Sequence, residues 1–175
     1  MPPENKYARI EWERRFLLDH FPSEATVTRI RHIRDRYIEG TALRLRQQSD
    51  GERQVFKLTQ KLPAGIVRAQ GLITTMYLTK DEFGMLAKLP AKILTKTRHS
   101  VPPFGVDLFE GALSGLVLAE AEFDCAAEAS ALALPSFILR EVSDDSRFTG
   151  GSLVAVSRQE LASWLAEWGV KLNAS

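Results

Sequence analysis

The chain has 175 residues, with 23 Lys and Arg against 22 Asp and Glu, 45% hydrophobic residues and a single cysteine. That length suits one domain spanning 1–175 with a core of useful size, and a formal charge of +1 identifies no acidic or basic partner. The apolar runs are too short for a membrane span, residues 1–6 lack the apolar stretch of a secretory signal, and Cys125 has no internal disulfide partner, so a cytoplasmic protein without a membrane partner is expected.

Residues 9–18 open with a strand-like alternation, Ile10, Trp12 and Arg14 on one face and Glu11, Glu13 and Arg15 on the other. Residues 28–36 hold four arginines and His32 and read as a charged strand or loop. Such a segment can touch nucleic-acid phosphates, but only Tyr37 stands near as a stacking aromatic, so nucleic acid is not the expected partner. Residues 41–47 alternate again, Leu43 and Leu45 against Arg44 and Arg46, and Asp50-Gly51 marks a hairpin into a strand over 53–59. Further strands are expected over 73–78, 93–99, 105–109 and 116–123.

Helices are expected at three places. Thr79-Lys80-Asp81-Glu82 is a capping box leading through Phe83, Leu86 and Leu89. Asp124 is placed to cap an Ala-rich turn or two reaching Leu134, stopped by Pro135. Ser157-Arg158-Gln159-Glu160 is another capping box, opening a helix over 157–169 whose Leu161, Trp164, Leu165 and Trp168 share a face for packing on the sheet. Short strands separated by turns favour an antiparallel sheet or barrel.

Charge at period two carries the chemistry. Besides Glu11/Glu13/Arg15 and Arg44/Arg46, Glu120 and Glu122 share a strand face, Asp107 lies between Val106 and Leu108, and Leu43/Leu45 and Leu118/Phe123 read as packing faces. A barrel with a charged interior must satisfy those charges with each other or with a ligand. Grouped carboxylates suit Mg²⁺ or Mn²⁺, and grouped Arg and Lys suit phosphate oxygens. Nothing else competes: His20, His32 and His99 lack zinc spacing, no Walker loop or Gly-x-Ser-x-Gly elbow occurs, and Cys125 reads as a buried, inert thiol.

The ordered set of motifs resembles the CYTH family of triphosphate tunnel enzymes. Glu11-Trp12-Glu13-Arg14-Arg15 is similar to its N-terminal Glu-x-Glu-x-Lys signature. Arg44 and Arg46 fall on its paired-arginine strand, Lys57 on the strand after it, and Lys96 and Arg98 on its Lys-x-Arg strand. Asp107, then Glu120 and Glu122, match its aspartate and Glu-x-Glu strands, and 141–148, including Arg147, resemble its Glu-Val-Thr-x-Asp-x-Arg-Tyr segment. The resemblance implies a mainly β fold, an eight-stranded antiparallel barrel with a few peripheral helices. It implies binding and hydrolysis of a triphosphate-containing small molecule, inorganic tripolyphosphate first, by a monomer or homodimer. Arg44, Arg46, Lys57, Lys96, Arg98 and Arg147 would bind substrate, and Glu11, Glu13, Asp107, Glu120 and Glu122 would hold Mg²⁺ or Mn²⁺. Catalytic roles would fall to Arg15, Glu13 and Glu122.

Two departures qualify that expectation. The family's second acidic pair has no counterpart in 73–78, where Ile73 and Thr75 stand, and Arg15 replaces the signature lysine. Arginine keeps its proton, so Arg15 binds phosphate but is a poor base. A hydrolase with a reduced metal set and a binding module that has lost turnover are both compatible with these changes.

Overall fold

A computed structural model describes residues 7–63 and 70–172, so the reading of 1–6 lies outside it. Eight strands make the barrel: β1 Arg9–Leu18, β2 Arg29–Ile38, β3 Leu43–Ser49, β4 Gln54–Pro63, β5 Gln70–Leu78, β6 Ala91–Val101, β7 Phe104–Phe109 and β8 Val117–Phe123. They pair antiparallel in the order β5-β4-β3-β2-β6-β7-β8-β1, and β1 closes the circle on β5 with Glu11 opposite Gly71. The edge of β1 that β5 leaves is taken over by the two-residue β9, Arg140–Glu141. The expected closed antiparallel barrel is therefore present.

One open reading is settled and two change. Of residues 28–36, read as a strand or loop, 29–36 belong to a full strand, β2: its charges mask an alternation in which Ile33 and Asp35 are buried while His32 and Arg34 are exposed. β4 runs on past Thr59 to Pro63, because pairing with β5 continues through Lys61 opposite Ile73. Leu118 lies on the same face as Glu120 and Glu122, and the opposite face of β8 is Val117, Ala119 and Ala121.

Two apolar clusters hold the barrel. The first lies on the outer wall, where Phe16, Leu18, Val106, Val117, Ala119 and Ala121 are covered by Leu132, Phe137 and Ile138. The second lies inside one end. There Leu17, Leu94, Phe109 and Leu118 point into the lumen and meet Phe148, Leu153, Leu161 and Leu165. Burying side chains such as Leu161 and Leu165, each 0% exposed, contributes about 1.5–3 kcal/mol apiece.

The helices dress this frame. α1, Lys80–Leu86, starts at the expected capping box, with the Thr79 N–H donating to Glu82 at 2.7 Å, and sets Phe83 on Phe56. α2, Ala126–Ala131, is shorter than expected and its N-cap is Cys125, which is exposed at the helix start rather than buried as expected. Asp124 does not cap it; instead the Asp124 N–H donates to Glu128 at 3.2 Å. α3, Gly150–Leu153, and α4, Arg158–Ala166, follow, and α4 packs its Leu/Trp face on the inner cluster as expected. Among the described residues no helix is long and apolar enough to cross a membrane.

Candidate functional site: a charged lumen

Residues paired directly across neighbouring strands share a face, so the register defines the lumen wall. β1 sends in Glu11, Glu13 and Arg15, and β8 sends in Glu120 and Glu122, with Glu13 opposite Glu122 and Arg15 opposite Glu120. β2 and β6 contribute Arg31 opposite Arg98, with Lys96 and Asp35 on the same faces. β3 and β4 contribute Arg46 opposite Lys57 and Arg44 opposite Thr59.

A continuous ladder of ion pairs joins four of these strands. Arg15 bonds Glu13 and also donates from Nε to Glu120 at 3.0 Å. Glu120 bonds Arg98, which clasps Asp107 with Nε at 2.7 Å and Nη2 at 2.6 Å. Lys96 completes the ladder on Asp107 at 2.5 Å. Burial by itself would raise the Glu120 carboxyl, but Lys96, Arg98 and Arg15 outweigh it and hold it well below the usual carboxylate range. Burial likewise opposes the Arg15 charge, yet Glu13 and Glu120 fix that guanidinium above its ordinary value. Burial pushes the Lys96 ammonium down, and Asp107 only partly counters it.

A second cluster sits on β2 and β3. Asp35, 1% exposed, accepts from Arg46 Nε at 2.6 Å and Nη2 at 2.7 Å, and Arg44 Nε stands 4.0 Å away. Burial would raise the Asp35 carboxyl, but Arg46, Arg44 and Lys96 lower it. Positive charge is still in excess here. Arg31 Nε and Arg44 Nε are buried without a hydrogen-bond partner, and burial together with Arg98 and Arg29 lowers the Arg31 guanidinium.

The opposite imbalance exists where β1, β4, β5 and β8 meet. Glu11, Glu13 and Glu122 lie together, and partial desolvation, then Glu11 and Glu13, raise the Glu122 carboxyl. Lys61 answers part of that charge, with Nζ 3.0 Å from Glu11 Oε2 and 2.9 Å from Glu13 Oε2.

Of the residues expected from sequence, Glu11, Glu13, Arg15, Arg44, Arg46, Lys57, Lys96, Arg98, Asp107, Glu120 and Glu122 all face the lumen. Arg147 does not join them. It pairs with Asp145 and Glu167, at 2.7 Å each, and stacks over Trp164 and Trp168, pinning the end of α4. Sequence reasoning missed Arg31, Asp35 and Lys61. The first two were hidden in the charge density of β2, where Arg31, Ile33, Asp35 and Tyr37 are the inward set; Lys61 lay beyond the expected end of β4.

Hard oxygen donors suit Mg²⁺ or Mn²⁺, and the donors differ in their freedom. Asp107 is 0% exposed and engaged by Lys96 and Arg98, and Glu120 is engaged by Arg15 and Arg98, so neither fits a metal in this arrangement. Glu122 with Glu11 fits better, as mutually repelling carboxylates that line one cleft, whereas Glu13 beside them is engaged by Arg15 and Lys61. Among the described residues no three His, Cys, Asp or Glu side chains converge as they stand into a metal-holding group.

The closed eight-stranded barrel is a CYTH-like fold. Among solved structures, the chain is similar to NE1496, seen in two crystal structures. One, called a hypothetical protein, is 26% identical with a TM-score of 0.55 over 84% of this chain and 99% of that chain. The other, called the inorganic triphosphatase NE1496, is 24% identical with a TM-score of 0.55 over 83% of this chain and 95% of that one. PH1819 from Pyrococcus horikoshii OT3 shares the fold at 18% identity and a TM-score of 0.50, over 92% of this chain and 91% of that chain. No protein-family model and no curated protein matches the chain.

Proposed function

We propose that the chain binds a triphosphate-containing small molecule in the barrel together with Mg²⁺ or Mn²⁺ and hydrolyses it, inorganic tripolyphosphate being the first candidate. The observation that carries this reading is the separation of charge within one lumen. Arg31 Nε and Arg44 Nε, both buried, lack acceptors on one wall, and a carboxylate cluster on another holds Glu122 against its charge. A metal-bound polyphosphate supplies both missing signs at once. The likeness to the inorganic triphosphatase NE1496 in fold supports the choice of ligand class.

Arg31, Arg44 and Arg46, with Lys57, would bind the phosphate oxygens, and Arg98, already locked to Asp107 and Glu120, would present a fixed positive field rather than a mobile clamp. Glu122 and Glu11 would hold the metal, which would supply charge neutralisation at the phosphorus under attack by water, while Glu13 is engaged by Arg15 and Lys61. Arg15 cannot accept a proton from that water, being held in its charged form by Glu13 and Glu120. That immobility, with Thr75 facing Thr59 where a carboxylate pair would serve a second metal, favours a second reading in which binding persists without turnover.

Phosphate release from tripolyphosphate and ATP, with Mg²⁺ or Mn²⁺, tests the proposal, with Glu122→Gln as control. Metal-dependent release lost in the variant supports hydrolysis. Calorimetric binding of tripolyphosphate without release supports the second reading, and absence of both rejects the two together.

A further inference from the structure

The geometry points to Lys61 as a built-in cation that occupies the Glu11/Glu13 pair in place of a metal ion, limiting this tunnel to a single divalent ion at Glu11 and Glu122. The inference rests on the metal-assisted reading above for its functional meaning, but its physical content is separate. Lys61 sits on β4 in phase with Lys57 and Thr59, opposite Ile73 of β5. Its side chain leaves that pair and runs over Gly71, where an added Cβ would lie 3.2 Å from Lys61 Cε and 3.7 Å from Cγ. Gly71 in turn faces Glu11 across the seam that closes the barrel. The absence of a side chain at 71 thus opens the lane by which a β4 ammonium reaches two β1 carboxylates.

The oxygens are then accounted for one by one. Glu13 Oε2 accepts from Lys61 at 2.9 Å, and Glu13 Oε1 accepts from Arg15, so this carboxylate has a cation on each oxygen. Glu11 Oε2 is taken by Lys61 at 3.0 Å, and Glu11 Oε1 has the exposed Arg9 guanidinium at 3.8 Å. A divalent ion chelated by Glu11 and Glu13 requires oxygens at about 2.0–2.2 Å, and so requires the place Lys61 Nζ holds. Ammonium and metal are therefore alternatives at that pair. The oxygens left to a metal are Glu11 Oε1 and those of Glu122.

This also gives a reason for Gly71, Ile73 and Thr75 on β5: with the charge of Glu11 and Glu13 already met from β4, a second acidic strand would restore the deficit that Lys61 removes. Lys61 is accordingly a positioning residue that sets metal stoichiometry rather than one that touches substrate.

The test is Mn²⁺ binding without phosphate, followed by the electron paramagnetic signal of free Mn²⁺, on the whole chain. Lys61→Met and Lys61→Gln are expected to bind Mn²⁺ at least tenfold more tightly than the parent, or to bind one ion more. Lys61→Arg is expected to return the parent behaviour, and adding Glu13→Gln to Lys61→Gln to abolish the gain. Lys61→Gln keeps a polar head within reach of both carboxylates and carries the test where Lys61→Met fails to fold. Unchanged Mn²⁺ binding in a folded variant, or a gain that survives Glu13→Gln, overturns the inference. Calorimetry of tripolyphosphate with the parent protein separately tests the triphosphate reading, so either can fail without the other.

Discussion

Arg44 shows how the lumen holds charge in readiness. Its guanidinium is drawn toward Asp35 at 4.0 Å but not bonded to it, and Nε is left without an acceptor. A phosphate oxygen in the lumen would give that buried N–H the acceptor it lacks. Arg44→Ala is expected to weaken tripolyphosphate binding by about 1.5–3 kcal/mol, read by titration calorimetry, and unchanged affinity would remove Arg44 from the site. Glu122 presents the reverse case. Its carboxyl is raised in the folded chain, so its contribution to stability is fully present below the unfolded value and is lost as pH rises through the folded one. Glu122→Gln is therefore expected to raise the melting temperature of the metal-free protein at pH 7, with the difference disappearing at pH 3, and to raise the Mn²⁺ concentration needed for phosphate release. A lower melting temperature at pH 7 would show that the carboxylate is not under strain.

At the scale of elements, the helical C-terminal portion depends on one close approach. A Cβ at Gly150 would stand 1.9 Å from the Tyr37 hydroxyl, so the first turn of α3 can lie against β2 only without a side chain there. Gly150→Ala is expected to destabilise by about 1–3 kcal/mol in urea unfolding, through displacement of Tyr37. An unchanged midpoint would mean that the two elements separate at no cost. The same scale shows what sequence could and could not disclose. The inward sets of β1 and β3 were legible because charged and apolar residues alternate there. On β2 both faces carry arginine, so period two is masked, and the buried Asp35 looked like one more surface charge. Leu118 was misplaced because an apolar residue on a charged face has no meaning until the apolar end of the lumen is known. Arg147 sits in a recognisable motif, but Asp145, Glu167 and two tryptophans claim its guanidinium. Those partners are brought together by α4 packing, which no local pattern encodes.

For the molecule as a whole, the buried ladder makes stability depend on acid in a definite direction. Asp35 and Glu120 are held below their unfolded values, so the stability they contribute is present above the ordinary carboxylate range and is lost as pH falls beneath it toward their folded values. In Glu122→Gln, which removes the opposing raised group, the urea midpoint is expected to stay level from pH 7 to about pH 5 and to drop steeply below about pH 4. Asp35→Asn is expected to cost about 3–5 kcal/mol at pH 7 by leaving Arg46 buried without its counter-charge; a loss under 1 kcal/mol would show that water reaches that arginine. The barrel ends, finally, are unlike. Leu17 and Leu118 belong to the apolar stopper with Phe148 and Leu165, while Glu11 and Glu122 stand at the far ends of the same two strands. The tube is thus a cul-de-sac. On the reading proposed above, a long phosphate polymer would dock by its terminus rather than thread, and any piece cut from it would have to back out past the doorway that admitted it.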